Sequence, residues 1–239
     1  MIAGSPQVIL RVSHLTKTYR GIGAVRAASF SVWPGEVLGL IGPNGSGKTT
    51  LFGCLGGVLP YDTGRVETFT AAGTPAIFYL PDAITPWPEQ TVEWSLTFAR
   101  RYFRASNEMT PEWLERLGLQ NILRKRIRNL SKGQRKRALL AIGLITPHPI
   151  LLLDEPFDGL DLRQTREVAQ LLRSVAAGGR TLFLSIHQIS EADRVCDRFV
   201  LLSEGRVCGE GTLEELAARV VHTPRGQTQT LEDVFLALT

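Results

Sequence analysis

Apolar residues fall in short runs broken by glycine- and proline-bearing turns, and strand-like and helix-like patterns alternate along the chain. Residues 8–12 and 28–33 read as strands flanking a turn-rich stretch that contains Gly21 and Gly23. Residues 36–41 form a buried strand that passes through a glycine-rich segment into an apolar helix over 48–59, with Pro60 and Gly64 as stop signals. Short strands follow at 66–69 and 76–80. Residues 91–145 change character: they are helical, rich in aromatic and basic residues, and show no strand alternation. Strand 150–153, helix 162–177, strand 181–185, helix 191–196 and strand 199–203 complete the body, and 230–238 is spaced as a short amphipathic helix. Strands alternating with helices predict an α/β fold, a parallel sheet covered by helices on both faces.

Composition narrows the class. The chain has 239 residues, 44% hydrophobic and 21% charged, ample for one large α/β core. Cys54, Cys196 and Cys208 are odd in number and form no C-x-x-C pair, which favours reduced thiols over a disulfide framework. The longest apolar runs, 150–153 and 182–184, are strand-sized, far below the roughly 20 residues of a membrane-spanning helix. Residues 1–10 lack the basic start and apolar core of a signal peptide. Action at a membrane would therefore need a partner.

A net charge of +4 does not by itself mark a nucleic-acid binder. Residues 124–137 hold eight basic residues and no acid. They read either as a nucleic-acid patch or as a solvated face around an anion site, helped by Glu112 and Glu115. Without aromatics inside the run the second reading is favoured, and no nucleic-acid partner is expected.

The chemistry begins at Gly42-Pro43-Asn44-Gly45-Ser46-Gly47-Lys48-Thr49, a gapless G-x-x-x-x-G-K-[ST] between a strand and a helix, followed by Thr50. Such a loop wraps phosphates with backbone N–H groups at a helix N-terminus. Lys48 would reach the β- and γ-phosphates and the Thr49 hydroxyl would ligate Mg²⁺. The apolar run 150–153 ends in Asp154 and Glu155. Burial explains the strand but not two acids at its C-terminal end, where open parallel sheets bind ligands. Asp154 suits the Mg²⁺ shell, and Glu155 suits the base that positions the attacking water.

Leu130-Ser131-Lys132-Gly133-Gln134 adds a third segment, and together the three resemble the ATP-binding cassettes of the ABC family, with 130–134 as the family's signature. Asp158-Gly159-Leu160-Asp161 is similar to its D-loop, His187 to its switch histidine and Tyr19 to its adenine-stacking aromatic. The resemblance implies a P-loop NTPase of RecA-like architecture. Residues 1–84 and 146–215 would form the core with a small antiparallel β subdomain, 85–145 an inserted helical subdomain carrying the signature, and 216–239 a helical tail. It also implies two cassettes facing head to tail. Each ATP would lie between the phosphate loop of one and Ser131, Gly133 and Gln134 of the other, with His187 contacting the γ-phosphate. Ser131 fits a helix N-cap as well, and the two roles are compatible. Histidines after strands are commonly structural, as His14, His148 and His222 are read here; aromatics such as Tyr19 also pack in cores routinely.

Two positions depart from the family pattern. Lys132 replaces a glycine, which is electrostatically benign beside phosphate. Asp82, in Tyr79-Leu80-Pro81-Asp82, stands where the family has a glutamine that touches Mg²⁺ or the attacking water and links core to helical part. Aspartate could serve Mg²⁺ through a water, but an uncompensated charge about 4 Å from a triphosphate costs about 4 kcal/mol at a dielectric near 20. The acid must be set back, screened, or neutralised by basic residues of the signature helix. Glu89, Thr91, Val92 and Trp94 follow where the family docks on a permease; Trp87 and Trp94 suit an interface or the core equally. The tail is similar to that of exporter ATPases. The implied function is an ATP-hydrolysing subunit, cytoplasmic and peripheral on the inner face of the membrane, that pairs with a second ATPase subunit and powers an integral membrane permease. The alternatives are a soluble ATPase of the same family acting in DNA repair, translation or cluster assembly, where repair members need a long coiled coil and translation factors carry two cassettes, neither present here, and an ATP-binding regulator, opposed by Glu155 and His187.

Overall fold

A computed structural model describes residues 8–70, 76–82, 84–105, 111–220 and 230–239, so His222 lies outside the described residues. Strands β1 (Leu10–Tyr19) and β2 (Ile22–Val32) pair antiparallel, and β4 (Thr63–Thr68) pairs with the other edge of β1. The stretch expected to be a turn between separate short strands is itself strand. Only Arg20 and Gly21 turn, with φ of 49° and 82°, the pair of positive values that matches hairpin twist. Register shifts within the β1–β2 ladder absorb the irregular sequence.

The second sheet has the order β5 (Ile77–Leu80), β6 (Ile150–Asp154), β7 (Thr181–Ile186), β3 (Val37–Ile41), β8 (Arg198–Ser203), β9 (Arg206–Gly211). All neighbours are parallel except β8 and β9. Every residue of β3, β6 and β7 is buried, which accounts for their continuous apolar runs. The fold is thus α/β with a mostly parallel sheet and a small antiparallel one, as the sequence implies.

One face of the large sheet packs on the small sheet and α1 (Lys48–Leu55), with Phe52 and Phe30 meeting Phe183 edge-on at 4.9 and 5.5 Å. Helix α1 stops before the expected end at 59. Gly56 and Gly57 follow it, Gly57 at φ 71°, and they end the helix ahead of Pro60. The other face packs on α2 (Val92–Tyr102), α4 (Lys132–Ile145), α5 (Leu162–Ala177) and α6 (Ile189–Val195), with α3 (Pro111–Arg116) beside them. Helix α5 buries Val168, Leu171, Leu172 and Val175, the spacing of one helical face; each such side chain stabilises the fold by about 2 kcal/mol. After β9 come α7 (Leu213–Ala217) and α8 (Leu231–Leu238), which buries Leu231 and Val234.

Register decides where the chemistry falls. Leu80 of β5 is level with Leu153 of β6, Leu153 with Leu184 of β7, and Leu184 with Gly39 of β3. Four adjacent parallel strands therefore end at one height. Asp154 is the last residue of β6, and the segments leaving the four strands carry Asp82, Glu155, His187 and the phosphate loop.

Candidate active site

At the mouth of β3 the chain turns into α1 through Gly47, whose φ is 105° and whose missing Cβ would lie 2.3 Å from the Ala24 carbonyl oxygen. No other residue fits there. No side chain caps α1 and no acid occupies its first turn, so its leading N–H groups are free to face an anion. Lys48 is buried and donates to the carbonyls of Gly42 (2.7 Å) and Pro43 (3.3 Å), with its ammonium 4.0 Å from Glu155 Oε1. Burial lowers its pKa from the usual lysine value, while Glu155 and Asp154 pull the other way. Ser46 Oγ is buried and has no partner among the described residues. Asn44, Gly45, Gly47, Lys48, Thr49, Thr50, Asp82 and Glu155, with Ala24, line an open cleft of about 370 Å³.

The two acids of β6 have opposite surroundings. Asp154 is 3% exposed. Its Oδ2 accepts from the Tyr79 hydroxyl at 3.2 Å and its Oδ1 from the Ser185 hydroxyl. Burial first, and then Asp154 itself, push the Tyr79 hydroxyl above its ordinary pKa, so it remains a donor. Glu155 turns into the cleft with φ 49°, a left-handed conformation uncommon for a non-glycine residue. Its N–H donates to the Ser185 hydroxyl at 3.1 Å, and its Oε2 lies 2.7 Å from His187 Nδ1. Glu155, His187 and Lys48 thus form one chain of contacts.

Asp82 lines the same cleft and lies 2.5 Å from Lys136 Nζ. Ser131 caps α4 by accepting from the Gln134 N–H at 3.2 Å, while the Gln134 side chain accepts from the Ser131 N–H at 3.2 Å. Gly133 abuts the loop after β6: a Cβ there would lie 2.6 Å from the Gly159 carbonyl oxygen. The cap expected at Ser131 is present. Ser131, Gly133 and Gln134 do not line the phosphate-loop cleft of their own chain, and neither does Tyr19, which ends β1 half-exposed with Lys17 Nζ 5.3 Å from its ring centre. A larger groove of about 740 Å³ runs between α3, α4 and α5, lined by Glu112, Glu115, Asp161 and Glu167 together with Arg116, Arg137 and Arg163, and it contains no residue of the phosphate loop.

The basic run 124–137 is only partly the solvated face expected. Lys136 is 5% exposed, and Arg137 donates to the Leu117 carbonyl at 2.7 Å. The compensating acids also differ: Arg126 and Arg128 pair with Glu89, Lys132 with Asp158 and Lys136 with Asp82, whereas Glu112 pairs with Arg116 of its own helix. Sequence reasoning missed Tyr79 and Ser185 as partners of the site, and it offered neutralisation of Asp82 by a basic residue of the signature helix without singling out Lys136. Tyr79 and Ser185 sit on strands whose register is invisible in sequence. Lys136 is masked by the charges around it. Trp87 packs against the core, Val92 is fully buried, and Trp94 is 40% exposed.

The class follows from these observations: a phosphate-loop α/β nucleotide-binding domain with two acids at the end of the strand beside its cleft. The sequence model of the ABC transporter family matches residues 25–158, and the chain belongs to that family as an ATP-binding ATPase subunit. It is 30% identical over 217 residues, 89% of this chain and 81% of the relative, to an uncharacterized ABC transporter ATP-binding protein of Methanocaldococcus jannaschii. It is 36% identical over 220 residues to the Nod factor export ATP-binding protein I of Rhizobium meliloti, covering 86% of this chain and 65% of that protein's length. A solved structure of the ATP-binding subunit of an ABC transporter superposes with a TM-score of 0.85 at 27% identity, covering 96% of this chain and 99% of that one.

Proposed function

We propose that the protein hydrolyses ATP between two copies of the cassette and uses the cycle to drive a separate membrane permease of export type. The observation that carries the hydrolytic part is Glu155, held at the rim of the phosphate cleft with one oxygen on His187 and the other facing Lys48. A carboxylate so placed accepts a proton from water as the water attacks the γ-phosphorus, and ADP leaves as the γ-phosphate becomes inorganic phosphate. Lys48 and the N-terminal amides of α1 bind the β- and γ-phosphates, and the His187 ring orients Glu155 and reaches the γ-phosphate. Tyr19 would stack on adenine beyond the cleft mouth.

The donor set fits Mg²⁺, which is usually held by one or two carboxylates plus substrate phosphates. The Thr49 hydroxyl and Asp154 would hold it, and no cluster of three or more acidic, histidine or cysteine ligands exists among the described residues. Held there, Mg²⁺ would supply neutralisation of the charge that develops on the phosphate.

Dimerisation is supported by the position of the signature. Ser131 and the Gly133 N–H head a helix, an anion-binding arrangement, yet stand outside their own cleft. A second copy, identical or related, supplies the phosphate they would contact. The permease is supported by α2, where Trp94, Phe98 and Tyr102, four residues apart, are 40%, 36% and 69% exposed. Their rings stack at 5.1 and 5.8 Å, and an exposed aromatic stripe of this kind suits a protein interface. Among the described residues no helix is long and apolar enough to cross a membrane, so the protein would sit on the inner face of the membrane through that contact. The export direction rests on the likeness to the Nod factor export protein.

The test is phosphate release by the full chain with ATP and Mg²⁺. Glu155→Gln should keep ATP affinity and lose about 10²–10⁴-fold in turnover, because an amide preserves shape but accepts no proton. Turnover close to wild type in that variant removes Glu155 as the base.

A further inference from the structure

Helix α4 carries two lysines one turn apart, and each holds a loop of the nucleotide site. Lys132 Nζ lies 2.5 Å from Asp158 Oδ2 in the segment after β6. Lys136 Nζ lies 2.5 Å from Asp82 Oδ1, beyond β5, and 3.4 Å from the Asp154 carbonyl oxygen at the end of β6. The two pairs differ in burial: the Lys132 side chain is 61% exposed, that of Lys136 5%. An exposed pair of the first kind contributes little. A lysine as buried as Lys136 persists only when paired, and Asp82 is its ion-pair partner among the described residues.

We propose that Lys136 is a positioning residue: its pairing with Asp82 cancels that acid's charge beside the triphosphate and fastens the signature helix to the strand ends that carry the cleft. This rests on the ATPase reading above. Asp82 shares the cleft with Lys48 and Glu155. With its charge cancelled by Lys136, it can line a phosphate site without repelling the phosphate. The same contact gives α4 a direct handle on β5 and β6, so a shift of the helix moves Asp82 and the Asp154 main chain together. Acid and lysine act as one unit, and removing either leaves an uncompensated charge of opposite sign at the same place.

That difference of sign is the test. ATP affinity by titration, kcat by phosphate release, and Tm are measured on the full chain carrying Asp82→Asn, Lys136→Gln and both. Lys136→Gln exposes the acid and should weaken ATP binding about tenfold. Asp82→Asn exposes the ammonium and should leave ATP affinity the same or tighter. Both single variants should lower kcat about tenfold. The double variant, with two neutral amides able to share a hydrogen bond, should return affinity to within about threefold of wild type. Should a single variant not fold, Lys136→Arg keeps the cation, and the adjoining cleft of about 260 Å³ has room for the guanidinium; it should retain affinity within about threefold. The proposal is overturned if the single variants shift affinity in the same direction and the double variant adds them. It is equally overturned if only Tm falls, or if Lys136→Arg loses what Lys136→Gln loses. Wild-type protein without turnover would instead overturn the ATPase reading, and the affinity cycle still decides the role of Lys136.

Discussion

Asp154 and Glu155 are neighbours in sequence but differ in surroundings, and backbone geometry makes the difference. Asp154 is the last strand residue and points into a buried pocket where two hydroxyls fix it. Glu155 leaves the strand with a positive φ and faces the cleft. The pairing of two acids at a strand end is legible in sequence because nothing else explains it; which hydroxyls hold Asp154 is not, since Tyr79 and Ser185 come from other strands. His148 illustrates the structural kind of histidine. It is buried against the rings of Phe78 and Phe103 at 5.4 and 5.5 Å, and Nδ1 has no hydrogen-bond partner among the described residues. Burial, aided by the Arg180 charge, lowers its pKa below the ordinary 6.5. As pH falls below 6.5 the unfolded chain takes up the proton first, so this stability contribution, complete above 6.5, is lost as pH drops through the lower folded value. Denaturant midpoints at pH 7.5 and 5 should therefore drop further in wild type than in His148→Phe. Equal drops would show that His148 does not contribute.

At the scale of elements, the strands β3, β6 and β7 were readable because burial on both faces leaves uninterrupted apolar runs. Helix α5 was readable from 162 to 177 because Asp161 caps its start and Gly178 follows its end. Strand β9 was not anticipated. Its alternation over 206–211 is weak, and the Glu204-Gly205 turn, with φ of 47° and 77°, is a two-residue signal without the usual asparagine or aspartate. Helix α2 mixes two functions that composition cannot separate. Val92, Leu96 and Ala99 face the core while Trp94, Phe98 and Tyr102 face outward, and Trp87 joins the two sides, packing on the core and meeting the rings of Trp94 and Phe98 at 5.9 and 5.0 Å. If the outward stripe meets a permease, Phe98→Asp should weaken capture of the permease from detergent-solubilised membranes by about 30-fold, the cost of an interface anchor. ATP affinity should stay unchanged, since Phe98 does not line the cleft. Undiminished capture would place the interface elsewhere.

For the whole molecule, the fold brings Lys48, Thr49, Asp82 and Glu155 to one cleft and holds Ser131, Gly133 and Gln134 outside it. The phosphate loop and the signature helix are both legible in the sequence, but that they stand apart is implied there only by the family resemblance, because their separation depends on how α4 packs against the sheet. Asp82 is the clearest case of a departure explained at this scale: the acid looks damaging in isolation and becomes acceptable once α4 delivers Lys136 to it. The central consequence is that ATP should be shared between copies. The most direct measurement is the solution mass of Glu155→Gln protein, a chain of 26.3 kDa, by light scattering on a size-exclusion column with and without ATP and Mg²⁺. Twice the chain mass is expected with ATP only. Adding Ser131→Arg should abolish the dimer while a titrated monomer binds ATP as before. A monomer at saturating ATP, or a dimer indifferent to Ser131→Arg, contradicts a site built from two copies.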